Sequence, residues 1–411
     1  MVTLSDKLKS LGVQVGARNL PLSKRLAETF AVEDVLPGRF QPTSSGPVFV
    51  VEKQYDRSYQ HGRAGLWVES SLQTIGEWAQ NPELAKVSLD QFAFLDTETS
   101  GLGGGTGTYT FLIGVGRFED GQFRLAQFFM RDPGEEPAQL SALTEYLEPC
   151  TVLVTFNGKA FDAPLLNTRF LINGQEPLLP SLTHLDLLPL ARRLWCDRLP
   201  SRRLSDLESH ILSFERSGED IPGWLIPSIY FDYLRSGDAR PLKHVFYHNA
   251  IDVLAMAALL NHMAQMLAEP YGTNVEHALD LVAIGKLYEA LGHIETAAEL
   301  FEDGMARNDL PEEHYWSTQR RLSFLHKRQK NFAAAIEVWL LAAEGHQIYA
   351  HIELAKFYEH RQRNYEEALH WTRAALNLVE APSASPRKRR EWLGDLKHRL
   401  ARLQRKLDRV G

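Results

Sequence analysis

The stretch Phe92-Ala93-Phe94-Leu95-Asp96-Thr97-Glu98-Thr99-Ser100-Gly101 constrains this chain more than any other. Four apolar residues end abruptly in two carboxylates, and a glycine-rich loop follows. A short apolar run bounded by turn residues reads as a buried strand. Side chains alternate faces along a strand, so Asp96 and Glu98 project together from its C-terminal end. Two like charges side by side repel, and a cation between them removes the penalty. Hard oxygen ligands favour Mg²⁺ or Mn²⁺. A solvated strand end is the alternative that this motif alone leaves open.

The flanking segments give the strand its neighbours. Tyr109–Phe118 and Phe123–Met130 read as two further strands, joined at Asp120-Gly121, a hairpin signal. Short connections make these three strands antiparallel. Pro137–Leu147 carries leucines at helical spacing. Thr151–Phe156 is apolar throughout, as in a sheet covered on both faces. A helix starts near Asp162, with Pro164 in its first turn. A strand at 183–187, helices at 188–195 and 205–212, and a long helix over 244–267 complete a mixed sheet with flanking helices, an α/β arrangement. A helix over 71–88 is expected ahead of the central strand. Short helices at 7–11 and 20–30 and a strand at 48–53 are expected in an N-terminal extension, residues 1–75.

The loop Gly101–Gly107 is not a phosphate-binding loop, because no Lys-Ser/Thr follows and the next element is a strand. Its glycines either allow backbone to lie close to a substrate or form a flexible hairpin. Asp252 interrupts the apolar run Ala250–Met256 and needs a partner, either an arginine or a shared metal. His248, four residues earlier, lies on the same helical face; Tyr247 points away. Asp186 reads as a cap for the next helix. The arginines between 192 and 203 either bind phosphate or form a solvated face.

Beyond residue 275 the texture changes. Leu325–Ile336 recurs as Tyr358–Leu369, and Leu287–Leu300 is a looser copy. A period near 34 with a recurrent small Ala predicts stacked helical pairs over 275–380. Residues 381–411 read as a basic amphipathic helix that either caps the array, showing its charge to solvent, or touches nucleic acid.

The net charge of −7 leaves nucleic acid open, since binding needs only a local basic patch. The two cysteines, Cys150 and Cys196, exclude a disulfide framework. No apolar run suggests a membrane span, and a cytoplasmic protein with no membrane partner is expected.

Asp96-x-Glu98-Thr99, Asn157 to Asp162, and His248 to Asp252 together resemble the three motifs of the four-acid 3′–5′ exonucleases in the ribonuclease H-like superfamily. With the repeats, the chain most resembles the YprB-type family, a ribonuclease H-like domain (76–272) followed by tetratricopeptide-like repeats. The resemblance implies a 3′–5′ exonuclease acting on single-stranded nucleic acid with two Mg²⁺ or Mn²⁺ ions. Asp96 would bridge the ions, Glu98 and Asp252 would complete one site and Asp162 the other. His248 would assist the attacking water, Thr97 and Thr99 would lie against the terminal nucleotide, and Asn157 would contact the strand. The repeats imply a protein partner. One departure stands out: the superfamily places Tyr four residues before the last Asp or His five before it, and here His248 and Tyr247 exchange those places. The competing expectations are a nucleic-acid-binding scaffold with little turnover and a ribonuclease H-type endonuclease. The latter would carry its second acid on a helix rather than two residues along the first strand.

Overall fold

A computed structural model describes residues 30–101 and 107–409. The helices expected at 7–11 and over most of 20–30, and the glycine loop at 102–106, lie outside the described residues. The chain divides into two compact units that are interleaved in sequence. One comprises the chain up to Val68, Lys86–Leu187 and Arg203–Asn261; the other comprises Glu69–Ala85, Leu188–Arg202 and the chain from His262 onward.

The first unit is built on strands β1 (Gly38–Thr43), β2 (Gly46–Tyr55), β3 (Gln60–His61), β4 (Ala64–Gly65), β5 (Phe92–Thr99), β6 (Thr110–Glu119), β7 (Gln122–Phe129), β8 (Val152–Thr155) and β9 (Thr183–Asp186). Seven of them form one sheet in the order β1-β2-β7-β6-β5-β8-β9. β5, β6 and β7 are antiparallel, as the hairpin signal requires. β8 joins β5 in parallel, and β9 joins β8 in parallel. The sheet also starts earlier than expected. β2 pairs antiparallel with β7 and β1 with β2, so residues 38–55 extend the sheet rather than precede it.

Both faces of this sheet are covered. On β2, Val48 and Val50 enter one core with Ala93 and Leu95, under the helices Glu136–Leu147 and Asp162–Ile172. Phe49 and Val51 enter the opposite core with Leu112 and Phe129, under Ile226–Ser236 and the long helix Leu242–Ala268. Continuous apolar strands are the sequence signature of such a two-sided sheet. The long helix is 27 residues with mean hydropathy 1.4 in its most apolar window, enough by length and composition to cross a membrane. Most of that window is buried, as in a core helix.

The second unit is helical. The helix expected over 71–88 breaks into Gln73–Trp78 and a 3-10 turn at Pro82–Lys86. Gln80 sits at φ 57°, and Pro82 disfavours the helical region for Asn81. Three helical pairs follow: Ala278–Leu291 with Ile294–Ala306, Glu312–Arg328 with Phe332–Glu344, and Ile348–Phe357 with Tyr365–Glu380. The recurrent alanines Ala297, Ala335 and Ala368 are each 0% exposed, where a larger side chain would separate paired helices. Asn331 and Asn364, 33 residues apart, each cap the next helix by accepting from the backbone amide three residues on. The C-terminal helix Pro386–Leu407 buries Leu396 and Leu403. Its cations do not all face solvent: Arg399, Arg402 and Lys406 converge on Glu359, whose side chain is wholly buried.

Candidate active site

β5 is the strand on which the sheet changes from antiparallel to parallel pairing. Its C-terminal end is where elements from both sheet faces meet. Alternation places Ala93, Leu95 and Thr97 toward one face and Phe94, Asp96 and Glu98 toward the other. The long helix covers the second face and brings His248, Asn249 and Asp252. Asp162 opens the helix Asp162–Ile172 on the first face, where the oriented amides of a helix start favour a negative charge. The Thr97 hydroxyl reaches across to donate to Asp162.

The four acids share one electrostatic neighbourhood. Burial, then the charges of Asp252 and Asp162, push the Asp96 carboxyl well above its ordinary range. Burial and the charges of Asp96, Asp252 and Asp162 do the same to Glu98. Burial also raises Asp162, with Asp186 and Asp252 adding to it against the Thr97 hydrogen bond. Like charges held out of water disfavour one another's ionised form, and a cation relieves all of them at once.

One cation is already present. The Arg216 guanidinium pairs with both Asp252 and Glu208. Burial opposes its charge, yet these two carboxylates hold its pKa above the ordinary value. Glu208 is 1% exposed and meets His61 at 2.9 Å, and His61 stacks on Phe214. Of the two partners open for Asp252, the arginine is therefore present in the structure.

Among the described residues, no three His, Cys, Asp or Glu side chains are gathered closely enough to hold a metal ion as they stand. The reason is local. Asp252 is turned to Arg216, Asp162 to Thr97, and Asp96 accepts from Asn249 Nδ2 at 2.9 Å. The donor set still fits a hard divalent ion: four carboxylates, three with the charged form disfavoured until a cation arrives.

The surrounding residues fix these groups. Asn249 is fully buried and accepts from Gln127 Nε2 at 2.9 Å while donating to Asp96. Gly114, paired with Asp96, makes room for it: a Cβ there would lie 2.2 Å from Asn249 Oδ1. His248 Nδ1 lies 2.8 Å from Asp220 Oδ1, which fixes that nitrogen as the donor. Nε2 faces the acid cluster, 3.7 Å from Asp252 Oδ2. Tyr247 is occupied elsewhere, its hydroxyl accepting from the Ser217 amide at 3.0 Å.

Thr99 donates to Gly101 O at 2.8 Å, inside its own turn. Asn157 sits at φ 68°, and its amide donates to Asp186 Oδ1 at 2.7 Å, while the Lys159 amide donates to Oδ2 at 3.1 Å. Asp186 thus holds the loop that delivers Asp162. Of the arginines between 192 and 203, Arg193 donates to Lys286 O, Arg198 pairs with Asp280, and Arg202 donates to Leu199 O, so these three serve internal contacts.

Residues 93–264, which contain all four acids, match the family model described as the RNase H superfamily. The mixed seven-stranded sheet with flanking helices fits that class, whose members are generally nucleases that act on nucleic acid with divalent metal ions. The chain is also 32% identical over 366 residues to the protein of Bacillus subtilis (strain 168) named "Uncharacterized protein YprB", covering 86% of this chain and 85% of that one. The chain belongs to the YprB family, with an RNase H superfamily domain followed by a helical region.

Proposed function

We propose that this protein is a metal-dependent nuclease that removes nucleotides from the 3′ end of single-stranded nucleic acid. One observation carries the proposal: hydrogen bonds tie Asp162 to Thr97, and Asn249, on the helix that carries Asp252, to Asp96, so acids from a strand and two helices converge where β5 ends with Glu98. These four residues would hold two Mg²⁺ or Mn²⁺ ions. When bound, such a pair supplies an activated water and stabilises the leaving 3′ oxygen. His248, with Nδ1 donating to Asp220, keeps Nε2 available to take a proton from water. Asn249 orients Asp96, and Thr97 orients Asp162. The D-x-E pairing on one strand favours the exonuclease over the ribonuclease H-type endonuclease, and the helical region is the part of the chain suited to a protein partner.

The Arg216–Asp252 pair favours a second reading, a domain that binds nucleic acid with little turnover. End-labelled single-stranded DNA and RNA, incubated with Mn²⁺ and then with chelator, separate the alternatives. Stepwise release of mononucleotides from the 3′ end, lost with chelator and reduced about a thousandfold in Asp96→Asn, supports the exonuclease. Internal cuts point to the endonuclease. Binding without cleavage points to the scaffold.

A further inference from the structure

The helical unit carries a charge pattern that the nuclease reading leaves unused. Although the whole chain is at −7, a cavity of about 360 Å³ is lined by Lys327, Arg328, Lys330, Lys356 and Arg361 against a single acid, Glu353. That acid is already compensated, because Lys327 and Lys356 both pair with it. Arg328 and Lys330 are exposed and make no ion pair among the described residues, and Arg361 lies 4.8 Å above the Phe332 ring.

A second cavity of about 530 Å³ lies along the same helix, Glu312–Arg328, with Glu313 as its one acid. It is lined by Arg320, Phe324 and Tyr349, with the Arg320 guanidinium 5.3 Å from the Tyr349 ring and 5.8 Å from the Phe324 ring. The Lys327 ammonium lies 5.8 Å from the Phe324 ring. Arg320, Phe324 and Lys327 are spaced four and three residues apart, so they form one stripe on one helix face. Together the two cavities follow that helix for roughly 20 Å.

We infer that this stripe, together with the cations Arg328, Lys330 and Arg361 that line the first cavity, is a binding track for single-stranded nucleic acid built from other residues than the carboxylate site. Cations alternate with aromatic rings along it, the combination that holds a phosphate backbone while tolerating any base. An acidic peptide would meet the same charge but offers no flat base to lie against the half-buried Phe324 and Phe332 rings. The inference rests on the nuclease reading in one respect, the preference for a nucleic acid among polyanions.

The test uses the full chain carrying Asp96→Asn, with chelator present so that no cleavage occurs. Binding of fluorescein-labelled oligothymidylate and oligouridylate is followed by anisotropy over a range of salt. The triple variant Arg328→Gln, Lys330→Gln, Arg361→Gln is expected to bind about tenfold more weakly, with the salt slope reduced by about 2, near 0.7 for each lost phosphate contact. Arg328→Lys with Arg361→Lys should keep most of the slope. All three positions are exposed, and an unchanged thermal transition confirms that the fold is intact. An unchanged affinity and slope in the triple variant overturns the inference. So does displacement of the oligonucleotide by polyglutamate at equal charge, which would assign the track to an acidic protein. Groove-dependent binding by a chain that never cleaves would sink the nuclease reading and leave this one standing. Cleavage by a chain whose binding ignores the three cations would do the reverse.

Discussion

Arg216→Met is the substitution that best separates the two roles a cation plays at this site. The side chain is 11% exposed and lies between Glu208 at 1% and Asp252 at 17%. It donates from Nε to Glu208 at 2.7 Å and pairs with Asp252 through Nη2. Removing one member of a buried pair costs about 3–5 kcal/mol, because the remaining charge is left without compensation. For a unit of this size that is a fall in melting temperature on the order of 10 °C. The loss has two parts. Glu208 keeps its contact with His61. Asp252 stands among Asp96, Glu98 and Asp162, where a divalent ion can replace the guanidinium. Melting curves with chelator and with Mn²⁺ should therefore differ between parent and variant. The variant should melt well below the parent in chelator, and Mn²⁺ should raise its transition by more than it raises the parent's. Arg216→Lys keeps the charge without the fork and should fall between them. Equal Mn²⁺ shifts in parent and variant, with the variant folded, would refute the idea that Arg216 and the metal answer the same charge.

Two further outcomes follow from buried groups elsewhere. Burial, with Lys159 adding to it, lowers the His184 pKa to about 4, and its Nε2 lies 2.8 Å from Thr155 Oγ1. A depressed imidazole is neutral in the folded state, so its contribution is complete above about pH 6.5 and is lost as pH falls toward 4. The loss should be about 1–2 kcal/mol after allowance for partial exposure. His184→Gln should flatten the stability profile over that window, and an unaltered profile would count against the assignment. In the helical unit, Glu359→Ala leaves Arg399, Arg402 and Lys406 crowded without their shared acceptor. A loss of about 3–5 kcal/mol is expected, with faster hydrogen exchange across Pro386–Leu407. Protection equal to the parent's would show that Leu396 and Leu403 hold that helix unaided.

What the sequence made legible is what short-range rules govern. The strand Phe92–Thr99 declared itself by its apolar run, the hairpin at Asp120-Gly121 by its turn chemistry, and the three helical pairs by their period. At the site, period-two alternation was enough to put Asp96 and Glu98 on one face, and helical spacing was enough to put His248 beside Asp252. The partners of these groups were hidden for a different reason. Arg216 and Asp220 lie in the non-helical stretch between His210 and Gly223, where no periodicity says which way a side chain points. The signals for Asn249 and Gly114 were present but unused. An isolated glycine within an apolar strand marks a close approach, and here the approaching group is the amide that holds Asp96. The helix Ile226–Ser236 likewise carried Pro227 at its start and Gly237, at φ 72°, at its end, the usual punctuation of a helix.

The C-terminal helix shows the converse limit. Its cations were plain in the sequence, but their use depended on Glu359, a residue that reads as an ordinary surface acid within Tyr358–Gln362. Three of the cations are spent on that one buried carboxylate. The cations around the groove beside Glu312–Arg328 are divided differently. There Glu353 engages two lysines and leaves Arg328, Lys330 and Arg361 unmatched. A count of basic residues would rank the C-terminal helix first as a nucleic-acid contact. Subtracting the charges already neutralised inside the fold takes Lys397, Arg399, Arg402 and Lys406 out of that count, whereas Arg328, Lys330 and Arg361 stay in it beside the Phe332 ring; only an uncompensated cation releases counterions when a phosphate arrives.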